Sequence, residues 1–223
     1  MFTGIIQAIG RVRQLQPQAG DHRLSIAAPD LDFANVHVGD SIAVSGVCLT
    51  AVALVADGFT ADVSNETLTR TAFRQLRPGS RVNLEKSLTL ASPLGGHLVA
   101  GHVDGVGELV TREAAARSWQ LWVRAPAPIA RYIAAKGSIT IDGVSLTVNE
   151  VRGAEFSVNI VPHTWSATTL SALQVGSSVN LEVDIIARYL ERLLQGEHAG
   201  AANADEADGI SLAWLAEHGF FKS

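Results

Sequence analysis

An internal repeat constrains the fold of this chain more than any other feature of its sequence. The pentapeptide GVCLT at residues 46–50 returns as GVSLT at residues 143–147, a shift of 97 positions. At that shift, 16 of the 47 positions from 39 to 85 are identical, and no gap is needed to keep the register. A register kept over this length indicates two tandem copies of one structural unit of roughly a hundred residues.

Each copy has the pattern of several short strands separated by turns. In the first copy, alternating apolar and polar residues predict strands at 2–13, 23–28, 41–45, 48–55, 58–63 and 81–86. Turn residues separate these runs, and short helical turns are expected near 66–75 and 164–172. Closing such strands into a barrel removes the exposed edges of a small sheet. The predicted fold class is therefore all-β: two tandem six-stranded antiparallel closed barrels plus a C-terminal helix.

The C-terminal region departs from the repeat and predicts that helix. Asp184 is a suitable N-cap, Gly196 a suitable stop, and the residues between them form one apolar stripe: Ile185, Ile186, Tyr189, Leu190, Leu193 and Leu194. The stripe could pack on the chain's own barrel or gather subunits into an oligomer, and the sequence leaves both open. The expected domains are barrels at 1–97 and 98–184, then a helix and tail at 185–223 whose residues 210–221 form a short apolar element.

Composition argues against several classes of function. The formal net charge of -5 disfavours a nucleic-acid partner, because phosphate binding needs clustered basic residues. No apolar run is long enough to span a membrane, and the single cysteine with no secretory signal predicts a cytoplasmic protein. His97 and His102 have no third ligand at metal-like spacing, so no metal is expected. The glycines of residues 101–107 do not form a dinucleotide-binding motif.

Positions where the two copies differ in polar chemistry could give two otherwise equivalent sites different roles. The pairs are Cys48 with Ser145, Ile5 with His102, Ser45 with Asp142, Asp62 with Asn159, and Glu66 with His163. Drift after duplication explains any one pair as readily. A lone cysteine in a strand is usually a small buried apolar residue. A histidine can transfer protons near neutral pH, so an acid-base or hydrogen-bonding role is more credible for His102 than metal binding.

Several segments together resemble the α-chain type of riboflavin synthase: MFTGII, GVCLT, GGHLVAGHVDG, KGSITIDGVSLTVN and SVNLEVDIIARYLERLL. The resemblance covers residues 1–195. It implies two lumazine-binding barrels and a helix that assembles a homotrimer, with the active site between barrels of different subunits. Two molecules of 6,7-dimethyl-8-ribityllumazine would give riboflavin and 5-amino-6-(D-ribitylamino)uracil by transfer of a four-carbon unit, without an external cofactor.

The resemblance also implies two substrate-binding sets. The first set comprises Phe2, Gly4, Ile5, Ile6, Ser41, Cys48, Leu49, Thr50, Asp62, Val63, Ser64, Asn65, Glu66 and Thr67. The second set comprises Gly101, His102, Val103, Lys136, Ser145, Leu146, Thr147, Asn159, Ile160, Val161, Pro162, His163 and Thr164. At Ser64-Asn65 the chain departs from the family pattern, in which a bulkier residue and often proline precede Glu-Thr.

Cys48 and His102 are the predicted catalytic pair, one in each copy. Cys48 would assist addition or proton transfer in the first pocket, and His102 would transfer a proton in the second. Ser41, Ser145 and Asp184 are further candidates for hydrogen bonding or orienting water. Because fold does not fix function, a non-catalytic carrier of lumazine or flavin is the alternative. A flavin domain of a reductase is disfavoured, since no nicotinamide-binding half follows the barrels.

Overall fold

The computed structural model describes residues 1–196 and confirms the predicted fold class. The first barrel consists of strands β1 (Ala8–Gln18), β2 (Asp21–Ala27), β3 (Ser41–Val44), β4 (Val47–Val55), β5 (Gly58–Val63) and β6 (Arg81–Lys86). The second consists of β7 (Gly105–Ala115), β8 (Ser118–Arg124), β9 (Ser138–Ile141), β10 (Val144–Arg152), β11 (Glu155–Ile160) and β12 (Ser178–Val183). Both sheets close, with all pairs antiparallel and the same circular strand order.

Short helices follow β5 and β11, as the sequence predicts, and a further one follows β8 without a counterpart after β2. Helix α1 (Asn65–Arg70) follows β5 and continues into a 3₁₀ turn at Ala72–Gln75. In the second copy, α2 (Ala127–Ala130) follows β8, and α3 (Pro162–Ala167) with a 3₁₀ turn at Thr169–Ala172 follows β11. The cores consist mainly of aliphatic side chains, with Phe59 and Phe73 in the first barrel and Phe156 in the second.

The first predicted strand is wrong at both ends. Residues 3–7 are not in a strand, and Phe2 makes only an isolated bridge to Val99. Gly4 has a φ of +75°, outside the extended region that a ladder needs, so the chain bends away before β1 begins at Ala8. At its other end β1 continues to Gln18 and pairs there with Asp21.

The two barrels meet at an approximate twofold axis within one compact unit, residues 1–185. Phe2 bridges Val99, and Gly46 lies against Gly143, so the 97-residue shift maps both contacts onto themselves. The two glycines belong to two-residue hairpin turns, each with positive φ at both central residues, as in type I′ turns. Asn83 and Asn180 donate side-chain hydrogen bonds of 2.9 Å across the axis, to the carbonyls of Asp142 and Ser45.

The predicted C-terminal helix, α4 (Ile185–Leu194), begins directly after Asp184, and Gly196 follows it with a φ of +57°. Its apolar stripe includes five exposed side chains: Ile186, Tyr189, Leu190, Leu193 and Leu194. The predicted apolar element at 210–221 lies outside the described residues. Within residues 1–196, no helix combines the length and the hydrophobicity needed to cross a membrane.

Candidate active site

The segments that precede the barrels are exchanged between the two copies. We call residues 2–6 the first leading segment and residues 99–103 the second. Gly4 of the first segment accepts a 2.8 Å hydrogen bond from the backbone of Ser145, and Gly101 of the second accepts one from Cys48, also at 2.8 Å. Ile6 packs against the core of the second barrel. Each leading segment therefore lies on the strand hairpin of the other barrel.

This exchange corrects one predicted grouping. The sequence places residues 4–6 with Cys48 and residues 101–103 with Ser145, because they belong to the same copies. Val103 instead packs against the first core, next to the strand that carries Cys48. The predicted residues thus form two different sets: a Cys48 site of residues 48–50, 62–67 and 101–103, and a Ser145 site of residues 145–147, 159–164 and 4–6. Copy-to-copy equivalence cannot reveal which barrel a connecting segment packs on.

The Cys48 site brings the two predicted catalytic residues to one place. Cys48 is half-buried and packs with Phe2, Ala43 and Val99. Its backbone bond to Gly101 puts the neighbouring His102, whose side chain is exposed, beside the same hairpin. A Cβ on Gly101 would lie 2.7 Å from the Cβ of Cys48, so only glycine allows this approach. Cys48 and His102 accordingly belong to one site rather than to one site each.

The Ser145 site carries an additional cover. The Oγ of Ser145 is 2.8 Å from Nδ1 of His97, and Gly96 is so close that a Cβ there would lie 2.9 Å from the same oxygen. Burial lowers the pKa of His97, while the charge of Asp184 opposes that shift, so His97 tends to stay neutral. A neutral imidazole bonded to a hydroxyl can accept its proton. Asp184, a predicted catalytic residue, therefore acts on this histidine.

Both sites lie at the same end of their barrels. Ser41 pairs with Thr50 in the first barrel, as Thr147 pairs with Ser138 in the second. In the next strands, Ala61 pairs with Ala51 and Val158 with Val148, and the residues that follow are Asp62 and Asn159. Both β5 and β11 end here, so the starts of α1 and α3 complete the rim with Ser64, Asn65, Glu66 and Thr67 in one site and Val161, Pro162, His163 and Thr164 in the other.

Several predicted residues contribute to these sites in a limited way. Leu49, Val63 and Ile160 are buried in the barrel cores, while Leu146 packs against the second core only in part. Asp62 forms an exposed ion pair with Arg23, with an O···N distance of 2.8 Å. These side chains are therefore occupied by the fold.

Lys136 is exposed and adopts a φ of +69°, where the first copy has Gly39 at +100°. A non-glycine residue pays a conformational cost in this left-handed region. This turn requires a left-handed residue, and the second copy has a lysine there where the first copy has glycine. Lys136 stays a predicted ligand contact.

Sequence reasoning missed two buried groups at these sites, Glu85 and Glu182, and considered the half-buried His97 only as a metal ligand. Glu85 accepts hydrogen bonds from the first leading segment, and Glu182 accepts them from the second. Burial raises the pKa of both glutamates, that of Glu182 to about 7. The signal was present, since the repeat aligns the two glutamates at the end of GSRVNLE and GSSVNLE. The identity alone does not show which N–H groups the two carboxylates face.

A cavity of about 320 Å³ lies between the barrels on the twofold axis, away from both sites. Ser45 and Asp142 line it together with the two 3₁₀ turns, and none of the predicted site residues is among its lining. Burial raises the pKa of Asp142 to about 7, with the backbone N–H of Asn180 opposing the shift. This cavity is larger than another of about 210 Å³ that lies beside Ile5 and Glu85. No cysteine or histidine lines the larger cavity.

Comparison with known proteins agrees with this architecture. The lumazine binding domain family matches residues 3–87 and again residues 100–184. The riboflavin synthase of Photobacterium phosphoreum is 46% identical over 220 residues, 99% of both chains. That of Mycobacterium tuberculosis (strain ATCC 25618 / H37Rv) is 50% identical over 201 residues, covering 87% of this chain and 98% of the relative. The Bacillus subtilis (strain 168) enzyme is 37% identical over 220 residues, 99% of this chain and all of the relative.

Solved structures give the same picture. LumP complexed with riboflavin superposes with a TM-score of 0.76 at 27% identity, covering 82% of this chain and 99% of that one. LumP complexed with 6,7-dimethyl-8-(1'-D-ribityl) lumazine gives a TM-score of 0.74 at 26% identity with the same coverage. With the domain matched twice and relatives of 37–50% identity over most of the chain, this chain belongs to the riboflavin synthase family.

Proposed function

We propose that this chain is a riboflavin synthase that joins two molecules of 6,7-dimethyl-8-ribityllumazine. One molecule gives a four-carbon unit to the other, which yields riboflavin and 5-amino-6-(D-ribitylamino)uracil. The observation that carries the proposal is that both copies keep the same backbone frame, with matching 2.8 Å hydrogen bonds from Cys48 to Gly101 and from Ser145 to Gly4. A reaction between two identical substrates needs two such places.

The chemistry assigns two tasks to the protein. The acceptor lumazine must lose a proton from its C7 methyl group, and the donor must be activated by addition of a nucleophile at C7. The two rings must then meet face to face. Holding both rings in that orientation makes the encounter effectively intramolecular, which supplies up to about 7–11 kcal/mol of the barrier in favourable cases.

The exchanged leading segments support a revised assignment of roles. At the Cys48 site, Cys48 and His102 act together, the thiol in addition or proton transfer and the imidazole as proton carrier. At the Ser145 site, the Ser145 hydroxyl acts with His97, and Asp184 stabilises the charged imidazole that results. Ser41 and Lys136 bind polar groups of the ligand in this proposal. The sites thus offer different acid-base groups to the two lumazines.

We further propose a homotrimer in which the Cys48 site of one subunit faces the Ser145 site of another. Both sites belong to one chain related by an internal twofold axis, and two sites related in this way do not face each other. Helix α4 supports the assembly, since its exposed apolar stripe suits a helix that gathers subunits. Light scattering of the full chain should give three times the chain mass. The cytoplasmic location stays a prediction from the single cysteine.

A lumazine or flavin carrier is the second candidate, because the LumP structures hold such ligands on the same fold. The relatives named riboflavin synthase are 37–50% identical to this chain, against 26–27% for LumP, which favours the enzyme. In addition, a carrier needs one functional site, whereas both frames are intact here.

Incubation with 6,7-dimethyl-8-ribityllumazine tests the proposal. An enzyme should form riboflavin and one equivalent of the aminopyrimidine, whereas tight binding with an unchanged spectrum would identify a carrier. In the enzyme, Cys48→Ala and His102→Gln should each lower turnover at least about a hundredfold, the lower end of the effect typical of an acid-base group. If both variants kept near-normal turnover, positioning alone would be the mechanism and the assigned roles would be wrong.

A further inference from the structure

Each leading segment is held from behind by one buried carboxylate of its own barrel. Glu85 in β6 accepts hydrogen bonds from the backbone N–H of Thr3 at 2.7 Å, from the Thr3 hydroxyl at 2.7 Å and from the backbone of Gly4 at 2.9 Å. Glu182 in β12 accepts three backbone hydrogen bonds, from Ala100, Gly101 and His102, at 2.6–3.0 Å. Both glutamates are almost fully buried.

On its other side, each leading segment contacts the strand hairpin of the other barrel, which carries Cys48 or Ser145. Gly101 receives the backbone hydrogen bond of Cys48, and Gly4 receives that of Ser145. A Cβ at either glycine would approach the hairpin to within 2.7 Å, so the segments have little freedom to shift toward it. The position of His102 relative to Cys48 is therefore set by one carboxylate behind the segment and one hairpin in front of it.

We propose that Glu182 and Glu85 are positioning residues, which hold the leading segments so that His102 is aligned with Cys48 and Ile5 with Ser145. This proposal rests on the proposed function, because it deepens the account of the same two sites. Neither glutamate needs to touch the substrate. An ionised carboxylate offers acceptors only, which matches three converging N–H or O–H donors.

The two carboxylates differ in how easily they take up a proton. Burial raises the pKa of Glu182 to about 7; the N–H donors of its segment oppose the shift, and the nearby charge of Asp104 adds to it. Burial also raises the pKa of Glu85, but the Thr3 hydroxyl, the backbone donors and the positive N-terminus all oppose that shift. Glu182 therefore titrates near neutral pH.

Protonation of Glu182 replaces one acceptor by an O–H donor that faces backbone N–H groups. The second leading segment then loses a hydrogen bond, and His102 is held less firmly at the Cys48 site. The alignment is therefore complete above pH 7 and weakens as the pH falls through that value. Among residues 1–196, Asp104 is the ionisable group whose charge acts strongly on this carboxylate, while His102 contributes its backbone N–H.

Glu182→Gln tests the proposal, with Glu85→Gln as the matched variant in the other copy. A glutamine presents one acceptor and one donor, so it imitates the protonated acid at every pH. We expect Glu182→Gln to lower kcat at least tenfold at pH 8, with a smaller change in KM, and to remove the part of the pH profile centred near 7. Glu85→Gln should also lower turnover but keep that part of the profile.

Hydrogen exchange supplies a readout that needs neither activity nor a variant. After correction for intrinsic rates, the amides of Gly101 and His102 in the wild type should exchange at least tenfold faster at pH 6 than at pH 8. The amides of Thr3 and Gly4 should change less. Equal protection of the second segment at both pH values, or a Glu182→Gln enzyme with an unaltered pH profile, overturns the proposal. A wild type that binds lumazine but forms no riboflavin refutes the proposed function instead, and the exchange result still decides the positioning role.

Discussion

The Cys48 site and the Ser145 site are built on the same backbone frame but surround it with different chemistry. In both, a hairpin N–H bonds to a glycine carbonyl at 2.8 Å, and a buried glutamate anchors the segment behind that glycine. Cys48, however, packs in a small apolar cluster, whereas Ser145 bonds to His97 under the cover of Gly96. The two copies thus share one backbone frame and differ in the side chains that surround it.

The same contrast holds away from the sites. Trp165 of α3 stacks on Trp119 of β8 with ring centres 4.7 Å apart, and Arg112 lies over both rings. The 97-residue shift puts Leu68 and His22 at the two tryptophan positions in the first barrel. The second barrel therefore holds the helix of its site with an aromatic stack that the first barrel lacks. Equivalent helices in the two copies are thus held by different side-chain contacts on the same backbone geometry.

We expect the largest effect where the hairpin turns of the two barrels touch at the twofold axis. Gly143→Ala would place a Cβ 2.7 Å from the backbone nitrogen of Gly46, at a residue with a φ of +78°. Because both neighbours are backbone, the clash has no side chain to relieve it, and we expect a loss of about 3–5 kcal/mol in the free energy of unfolding. Gly46→Ala should behave alike, since the axis makes the two positions equivalent. Urea unfolding measures both.

Gly176→Ala is the matched control, because Gly176 also has a positive φ, +86°, but open space where a Cβ would go. It should lose only the conformational cost of about 1–2 kcal/mol. Equal losses in Gly143→Ala and Gly176→Ala would contradict the idea that the close approach of the two turns holds the barrels together.

The repeat and the fold class were readable from sequence because strand alternation and turn residues recur in both copies. Strand β1 was misplaced because apolar residues such as Phe2 and Ile5 look like part of a strand, although Gly4 and the anchoring by Glu85 bend them away. The exchange of leading segments could not be predicted. It depends on packing between barrels, which leaves no periodicity in the sequence. The buried glutamates were visible as identities, but their role requires knowledge of which N–H groups face them.

The two copies also differ at a hairpin turn, which is Ser45-Gly46 in the first copy and Asp142-Gly143 in the second. Burial raises the pKa of Asp142 to about 7, whereas an unburied aspartate titrates near about 3.9. Between about pH 3.9 and pH 7, Asp142 is protonated in the folded chain but ionised in the unfolded chain. The stability that it contributes is therefore complete at low pH and is lost as the pH rises through this range to 7. Asp142→Asn removes this dependence and keeps an acceptor for the N–H of Asn180. We expect it to gain on the order of 1–3 kcal/mol over the wild type between pH 5 and pH 8.

Ser45→Asn is the control for that comparison, because it puts asparagine at the equivalent turn position, where the wild type has no titratable group. The larger side chain and the loss of the 3.2 Å hydrogen bond from the N–H of Asn83 should lower stability equally at both pH values. Asn-Gly suits a type I′ turn, so neither substitution should disturb the hairpin. Urea unfolding at pH 5 and pH 8 measures both variants. If Asp142→Asn and the wild type differed by the same amount at both pH values, the buried carboxylate would not be the cause.

The smallest expected effect concerns how the two site helices begin. Ser64 accepts a hydrogen bond from the N–H of Thr67 at 3.1 Å and caps α1, while α3 has no side-chain cap and begins with Pro162. Ser64→Ala should therefore cost about 0.5–1 kcal/mol in the free energy of unfolding. Val161→Ala, at the equivalent cap position, should cost less, since no capping hydrogen bond is lost there. Thermal unfolding in parallel measures both variants, and equal losses would remove the cap as the reason for Ser64.

The starts of α1 and α3 also show why serine and proline suit different barrels. Ser64 and Val161 have nearly the same backbone angles, φ of -68° and -69° with ψ of 155° in both. The serine satisfies a free N–H at the helix start, and proline fixes φ in advance at a position whose N–H would have had no partner. Proline at position 65 would remove the N–H that Asn65 donates to Asp21 at 3.1 Å. Asn65→Pro should thus lose more stability than Ser64→Ala, although it copies the second barrel, because the first barrel uses that N–H to tie α1 to β2.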